Sequence, residues 1–321
     1  DNVSAIDYCS LNLAKYLHIG HFTTTIIGES IARICEALGY KVIRINYVGD
    51  YGTPFGKMVV AYKLWGNKKD IEQRGMDAIQ ELYVKFCANE NEELLEKARY
   101  ASNQIEQKLG TEYEISKWII NITIEETKNL IGRMGIKFDD WRGESTYTNE
   151  MEKPLEEIRL AGLSKVENGA TIIDLNEYNL GVCVLKRSDG ASLYVTRDLA
   201  AVEDRYNLYK FDEMLYVTAT QQNSHFAKLF KICELLNKPY ADKLKHINYG
   251  MFSLPEGKIA SRKGKQALFQ DILNEAENEA LEVVKDRNLS NEKKDEIVKK
   301  VAMSSIAFSI LKVDRIKDKV F

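Results

Sequence analysis

The chain has 321 residues, of which 45% are hydrophobic and 29% charged, a balance typical of a globular protein with a sizeable core. Lysine and arginine number 45 and aspartate and glutamate 48, so the net charge of −3 excludes a polybasic nucleic-acid binder. No apolar run approaches the roughly 20 residues of a membrane span. The five cysteines are widely spaced and form no zinc motif. We expect reduced thiols, no zinc, no membrane association and a cytoplasmic location.

The first elements predict a parallel sheet. Residues 3–10 read as a buried strand, apolar residues recur at helical spacing from about His18 to Leu38, and residues 41–47 alternate as a second strand. Two consecutive parallel strands need a crossover helix, which this order supplies. The loop after the first strand therefore opens onto a helix N-terminus, where free N–H groups and the helix dipole favour an anion.

The remaining elements are predicted from the same patterns. In chain order they are a charged helical segment at about 60–130, a strand at 136–139, a helix at 151–163, strands at 170–175, 182–186 and 215–218, a helix at 226–236, and two helices from residue 268 onward. The chain begins at Asp1 and ends at Phe321 without a helix stop signal. We expect it to be a piece of a longer protein.

Two clusters of neighbouring residues have side chains that could bind phosphate groups. His18, Gly20 and His21 lie where the first strand leads into its helix, so both imidazoles could donate hydrogen bonds to phosphate oxygens there. The glycine lets a flat base or ribose approach the backbone. The second cluster is the basic loop 258–265, whose four cations and one hydroxyl suit a loop that closes on phosphates. Taken alone, the histidines could simply cap the helix or lie at the surface, and the second cluster could be an exposed basic loop.

Together the clusters resemble the HIGH and KMSKS motifs of class I aminoacyl-tRNA synthetases. The surrounding blocks resemble the arginyl-tRNA synthetase family, in family order from about residue 6 to 315. These blocks are SLNLAKYLHIGH at 10–21, VGDYGTPFG at 48–56, Glu144-Ser145, LYVTRDLAA at 193–201 and YVTATQQNSHF at 216–226.

The resemblance implies a site for each substrate. The arginine-binding residues would be Asp7, Asn12, His18, Tyr194, Asp198 and Gln222. Asp7 stands where relatives often have the longer glutamate, and Gln221 competes with Gln222 for one position. The ATP-binding residues would be His18, Gly20, His21, His225, Lys258, Ser261 and Arg262. Of these, His18, His21 and Lys258 would act in catalysis, whereas we expect His246 to be structural.

The resemblance also implies the fold, an α/β class I synthetase core built on a Rossmann-like, doubly wound parallel sheet. The expected parts are a catalytic core at 1–60, 130–150 and 190–267, a helical insertion at 61–129, a β-rich connective insertion at 151–189, and a helical segment at 268–321 that leads to an anticodon-binding domain.

The implied reaction is activation of arginine by ATP, with Mg²⁺ accompanying the nucleotide, followed by transfer to tRNA(Arg). No nucleophilic side chain is needed, because the enzyme positions the reactants and stabilises charge. We expect a monomer. The alternatives are a class I synthetase for another amino acid, a small-molecule nucleotidyltransferase that shares the histidine motif, and a non-catalytic tRNA-binding paralogue.

Overall fold

The computed structural model describes residues 2–13, 15–188, 194–253 and 268–320, apart from the side chains of Tyr194, Phe252, Ser253, Lys319 and Val320. The strands are β1 (Val3–Asp7), β2 (Lys41–Ile45), β3 (Ser164–Glu167), β4 (Ala170–Asp174), β5 (Val182–Lys186), β6 (Glu213–Ala219), β7 (Leu244–Tyr249), β8 (Phe252–Ser253) and β9 (Lys319–Val320).

The helices in these ranges lie between and after the strands. They are α1 (Ile19–Ala37), α2 (Thr53–Trp65), α3 (Lys68–Arg74), α4 (Met76–Ala88), α5 (Glu92–Glu106), α6 (Gly110–Arg133), α7 (Glu152–Leu160), α8 (Tyr194–Tyr209), α9 (Asn223–Leu235), α10 (Phe269–Val284) and α11 (Asn291–Leu311). Short 3₁₀ turns occupy Glu144–Glu150, Asn176–Tyr178, Thr220–Gln222 and Ala241–Lys243. None of the described helices is both long enough and apolar enough to cross a membrane.

A four-stranded parallel sheet in the order β2-β1-β6-β7 forms the centre of the fold. Because successive side chains point to opposite faces of a strand, Ile6 and Leu215 pack in one core with residues of α1, α10 and α11. Ala5 and Met214 pack in a second core with residues of α8 and α9. Helices therefore cover both faces, as the predicted doubly wound α/β class requires.

The carboxyl edge of this sheet positions the loops that matter for function. Helix α1 packs closely on the end of β1 because Gly28 has no side chain. A Cβ atom there would lie 2.3 Å from the Tyr8 ring. One turn earlier on the same face of α1, the Thr24 hydroxyl donates to the Val217 carbonyl of β6 at 2.6 Å. The start of α1 is thus fixed against the ends of two neighbouring strands.

Two further groups of elements flank the parallel sheet. Helices α2 to α6 pack on one another around their own buried residues, including Val59, Phe86 and Ile79. Strands β3, β4 and β5 form an antiparallel sheet in that order. Its buried side chains, among them Ile173 and Leu185, join the core that contains α8 and α9. The helices predicted at about 60–130 and the strands predicted near 170 and 182 are therefore present.

Two of the predicted strands differ in the structure. Residues 136–139 form no strand. The Asp139 side chain accepts a hydrogen bond from the Arg44 amide at 2.8 Å and so takes the place of a backbone carbonyl of a paired strand. Only an isolated bridge between Ile45 and Asp140 remains. Strand β1 ends at Asp7 and not at residue 10, because Cys9 and Ser10 have φ values of 71° and 45°. Strands β3 and β7 were not predicted from the sequence.

Candidate functional site

A cavity of about 570 Å³ opens at the carboxyl edge of the parallel sheet. It brings together eight of the residues that the sequence pointed to: Asp7, Asn12, His18, Gly20, His21, Asp198, Gln222 and His225. Gln221 lines it as well, so the geometry does not choose between the two glutamines. Tyr194 begins α8, but its side chain lies outside the described part, as do Lys258, Ser261 and Arg262.

The two histidines form the N-terminal cap of α1. The Gly20 amide donates to Nδ1 of His18 at 3.1 Å, and the His18 amide donates to Nδ1 of His21 at 3.2 Å. The ring centroids lie 4.0 Å apart. A Cβ at position 20 would lie 2.9 Å from Cε1 of His18, so a glycine between the histidines is what allows this cap. The spacing of the motif therefore has a local structural cause.

The same hydrogen bonds assign the protons of both rings. A ring nitrogen that accepts a hydrogen bond carries no proton, so in each neutral imidazole the proton is on Nε2. Burial lowers the pKa of His18, and it lowers the pKa of His21 to about 3, with the neighbouring His18 acting in the same direction. Both rings are therefore neutral near pH 7, and each retains an Nε2–H donor. We call His18, Gly20 and His21 the histidine end of the cavity.

Carboxylates also line the cavity. Asp7, at the end of β1, accepts a hydrogen bond from the Arg205 guanidinium at 2.8 Å and another from the Ser10 hydroxyl at 3.0 Å. The side chains of Asp7 and Arg205 are only 5% and 2% exposed, so the pair is removed from water. The left-handed backbone at Ser10 turns its hydroxyl back onto Asp7. The Asp7 carboxylate is thus already bound by protein groups.

Arg205 lies in an aromatic setting. Its guanidinium carbon is 4.8 Å from the centre of the Tyr47 ring and 6.0 Å from that of Tyr216. All three residues line the cavity. None of the three was predicted as a site residue from the sequence, although Arg205 follows Asp198 by seven residues and so lies on the same face of α8. A helical reading of 194–209 would have indicated it.

Asp198 of α8 bonds to a different kind of partner. Nε2 of His225, in the first turn of α9, lies 2.7 Å from Oδ2 of Asp198. The two side chains are 22% and 26% exposed, so both reach the cavity. The hydrogen bond of His225, expected among the ATP-binding residues, is thus with a residue expected to bind arginine.

A third carboxylate, Glu144, lines the cavity from the 3₁₀ turn that it begins. Glu144 forms an ion pair with Arg197, whose guanidinium stacks over the Tyr51 ring at 4.4 Å. Burial raises the pKa of Glu144 to about 7, although Arg197 opposes the shift. Next to it, Asp50 accepts hydrogen bonds from the amide and the hydroxyl of Ser145 at 2.8 and 2.5 Å. We call Asp7, Glu144 and Asp198 the carboxylate end.

His246 lies outside this cavity. Nε2 of His246 is 2.8 Å from the Thr218 hydroxyl, and its ring packs on Phe226 with centroids 4.6 Å apart. A second groove of about 910 Å³ lies between α6 and α10 and contains none of the predicted substrate residues. In the described ranges no group of three or more histidine, cysteine, aspartate and glutamate residues could hold a metal ion.

Comparison with known proteins identifies the family. The family model described as "tRNA synthetases class I (R), catalytic domain" matches residues 2–321. An arginine–tRNA ligase of Halothermothrix orenii is 41% identical over 318 residues, which cover 98% of this chain and 56% of that protein. One of Clostridioides difficile is 38% identical and covers 100% of this chain and 57% of that protein. The chain therefore spans little more than half the length of these relatives.

Solved structures show the same fold. The arginyl-tRNA synthetase of Thermus thermophilus matches with a TM-score of 0.84 at 21% identity, covering 100% of this chain and 60% of that one. The arginyl-tRNA synthetase of Plasmodium falciparum matches with a TM-score of 0.82 at 23% identity, covering 100% and 54%. By the extent of these matches, the chain belongs to the catalytic-domain family of class I tRNA synthetases that its family model describes.

Proposed function

We propose that the protein activates L-arginine with ATP to form arginyl-adenylate and pyrophosphate, and then transfers the arginyl group to tRNA(Arg). The observation that carries this proposal is the cavity itself, which is lined both by neutral N–H donors and by carboxylates. Donors suit phosphate oxygens, and carboxylates suit a guanidinium. The relatives named above are arginine–tRNA ligases, which supports arginine and tRNA as the substrates.

In this proposal the histidine end receives ATP. The Nε2–H groups of His18 and His21, together with the N-terminus of α1, would bind phosphate oxygens and stabilise the charge that develops on them. Gly20 leaves room for the nucleoside. Lys258, with Ser261 and Arg262, would complete the phosphate contacts as the family resemblance implies. The described residues offer no cluster that fits a resident metal, so we propose that Mg²⁺ arrives with ATP.

The carboxylate end would bind arginine. Asp198 would bind its guanidinium, while Asn12, Tyr194 and Gln222 would position the rest of the amino acid. The arginine carboxylate would then attack the α-phosphate in line, and pyrophosphate would leave without any covalent bond to the enzyme. A half-buried carboxylate such as Asp198 disfavours uncharged competitors, because such a competitor leaves it without a partner.

We also propose that the protein is a cytoplasmic monomer. Its chain would be divided into the core, the two insertions and the helical segment that are expected from the sequence. All five cysteines are free in the structure.

The direct test is arginine-dependent ATP–pyrophosphate exchange with tRNA(Arg) present, scanning all amino acids. Exchange with arginine alone supports the proposal. Exchange with glutamate, cysteine or lysine in place of arginine would contradict it. Binding of tRNA without exchange would instead favour a non-catalytic paralogue.

A further inference from the structure

Residues Lys15, Tyr16 and Leu17 lead into the histidine end, and the core of the protein holds the last of them. The Leu17 carbonyl accepts a hydrogen bond from the Phe269 amide at 2.9 Å, and the Leu17 side chain is buried in the same core as Phe22. Leu17 precedes the cap residue of α1 and Phe22 follows it by four positions. Apolar residues at these two positions fix the angle at which a chain enters a helix.

A second contact holds the same segment from a different part of the protein. The Tyr16 hydroxyl donates a hydrogen bond to the Asp77 carboxylate, which lies 61 residues further along the chain. Asp77 is in the first turn of α4, one of the helices that flank the parallel sheet. A hydrogen bond to a carboxylate is stronger than one between neutral groups. The segment before the histidines is therefore tied to the α2–α6 helices as well as to the core.

The position of Asp77 is itself well defined. The Glu126 carboxylate of α6 accepts the Met76 amide at the start of α4, with distances of 3.1 and 3.0 Å to its two oxygens. Two residues after Asp77, Ile79 is buried in a cluster with Ile119 of α6. The first turn of α4 is thus held at its backbone and by its packing. Asp77 can therefore act as a fixed acceptor for Tyr16.

The groove of about 910 Å³ between α6 and α10 makes this hydrogen bond important. Lys15, Tyr16, Leu17 and Asp77 all line the groove. Tyr16 is half-buried and Asp77 is exposed, so close packing does not surround this side of the segment. Segments with few packing contacts move more easily than segments in a core. The bond between Tyr16 and Asp77 restricts the chain where packing does not.

We propose that Tyr16 is a positioning residue for the histidine end and acts through its hydrogen bond to Asp77. The bond keeps the chain that enters α1 in the arrangement in which His18 and His21 form the cap. Without the bond, this segment has to be ordered when ATP binds, and the entropy lost at that point weakens binding. The inference rests on the proposed function, because it takes the histidine end as the ATP site.

The test is calorimetric titration of ATP and of L-arginine into the 321-residue chain and three variants. These are Tyr16→Phe, which removes the donor, Asp77→Ala, which removes the acceptor, and the double variant. We expect each single change to weaken ATP binding about three- to tenfold and to leave arginine binding within about twofold. The double variant should be no weaker than the weaker single variant, because all three lack the same bond.

Two control variants change the same kinds of residue elsewhere. Tyr100→Phe alters a tyrosine of α5 that is 60% exposed. Asp70→Ala alters an aspartate in the first turn of α3, the position that Asp77 has in α4. Both should leave the Kd of ATP unchanged. Tyr16→Phe keeps the ring and changes no charge, so it guards against a folding defect of Asp77→Ala.

Several results would overturn the role of Tyr16 while ATP binding stands. They are an unchanged Kd of ATP in Tyr16→Phe, additive losses in the double variant, equal losses for ATP and arginine, and equal losses in the control variants. If ATP fails to bind to the folded, unmodified chain, both the inference and the proposed function are overturned.

Discussion

The two ends of the cavity use opposite electrostatic strategies. At the histidine end, neutral imidazoles donate hydrogen bonds and their cap geometry comes from four consecutive residues. At the carboxylate end, carboxylates are paired across distant elements, as Asp7 is with Arg205 and Asp198 with His225. A phosphate group brings its own charge and needs donors, whereas a guanidinium needs a carboxylate that is held ready in a partly dry site. The histidine end therefore depends on local geometry, whereas the carboxylate end depends on contacts between residues that are far apart in the chain.

The largest effect is expected from breaking the most deeply buried ion pair, which joins Asp7 and Arg205. Arg205→Met would leave Asp7 buried without its counterion, and we expect the free energy of unfolding to fall by about 3–5 kcal/mol. Arg99→Met is the matched control, because Arg99 is 59% exposed and pairs with Glu92 at the surface. Urea denaturation measures both. Similar losses in the two variants would show that Arg205 has no special structural role.

A large effect on catalysis is expected at the histidine end. His21→Ala removes one phosphate donor and one cap acceptor, so we expect kcat for arginine-dependent ATP–pyrophosphate exchange to fall about 100-fold or more. His246→Ala, outside the cavity, should lower it only a few-fold, because its contacts are to Thr218 and Phe226. Equal losses in the two variants would refute the assignment of the histidine end.

A smaller effect links the histidine end to stability. The pKa of His21 is about 3 in the folded protein against 6.5 for an ordinary histidine, so the unfolded chain binds the proton more tightly. The stabilisation is complete above about pH 6.5 and is lost as the pH falls towards 3. Between pH 7 and 5, we expect the chain to lose about 1–2 kcal/mol more than its His21→Asn variant, in which the amide oxygen keeps the cap. Identical losses in urea denaturation would contradict a buried neutral His21.

The same contrast explains how much the sequence could predict. The β1-α1-β2 unit and the histidine cap follow from periodicity and from residues adjacent in the chain. Asp198 and His225 lie on two different helices and are 27 residues apart in the chain, and Asp7 and Arg205 are 198 residues apart. No local pattern specifies such contacts. At 136–139 a local pattern predicted a strand wrongly, because the Asp139 side chain replaced a backbone hydrogen-bond partner.

The most direct test of the division into two ends is a crossed measurement of affinities. Calorimetry would give the Kd of ATP and of L-arginine for the unmodified chain, His21→Ala and Asp198→Asn. We expect His21→Ala to weaken ATP about tenfold or more and to leave arginine within about twofold, and Asp198→Asn to do the reverse. Variants that weaken both ligands equally would contradict two chemically separate ends in one cavity.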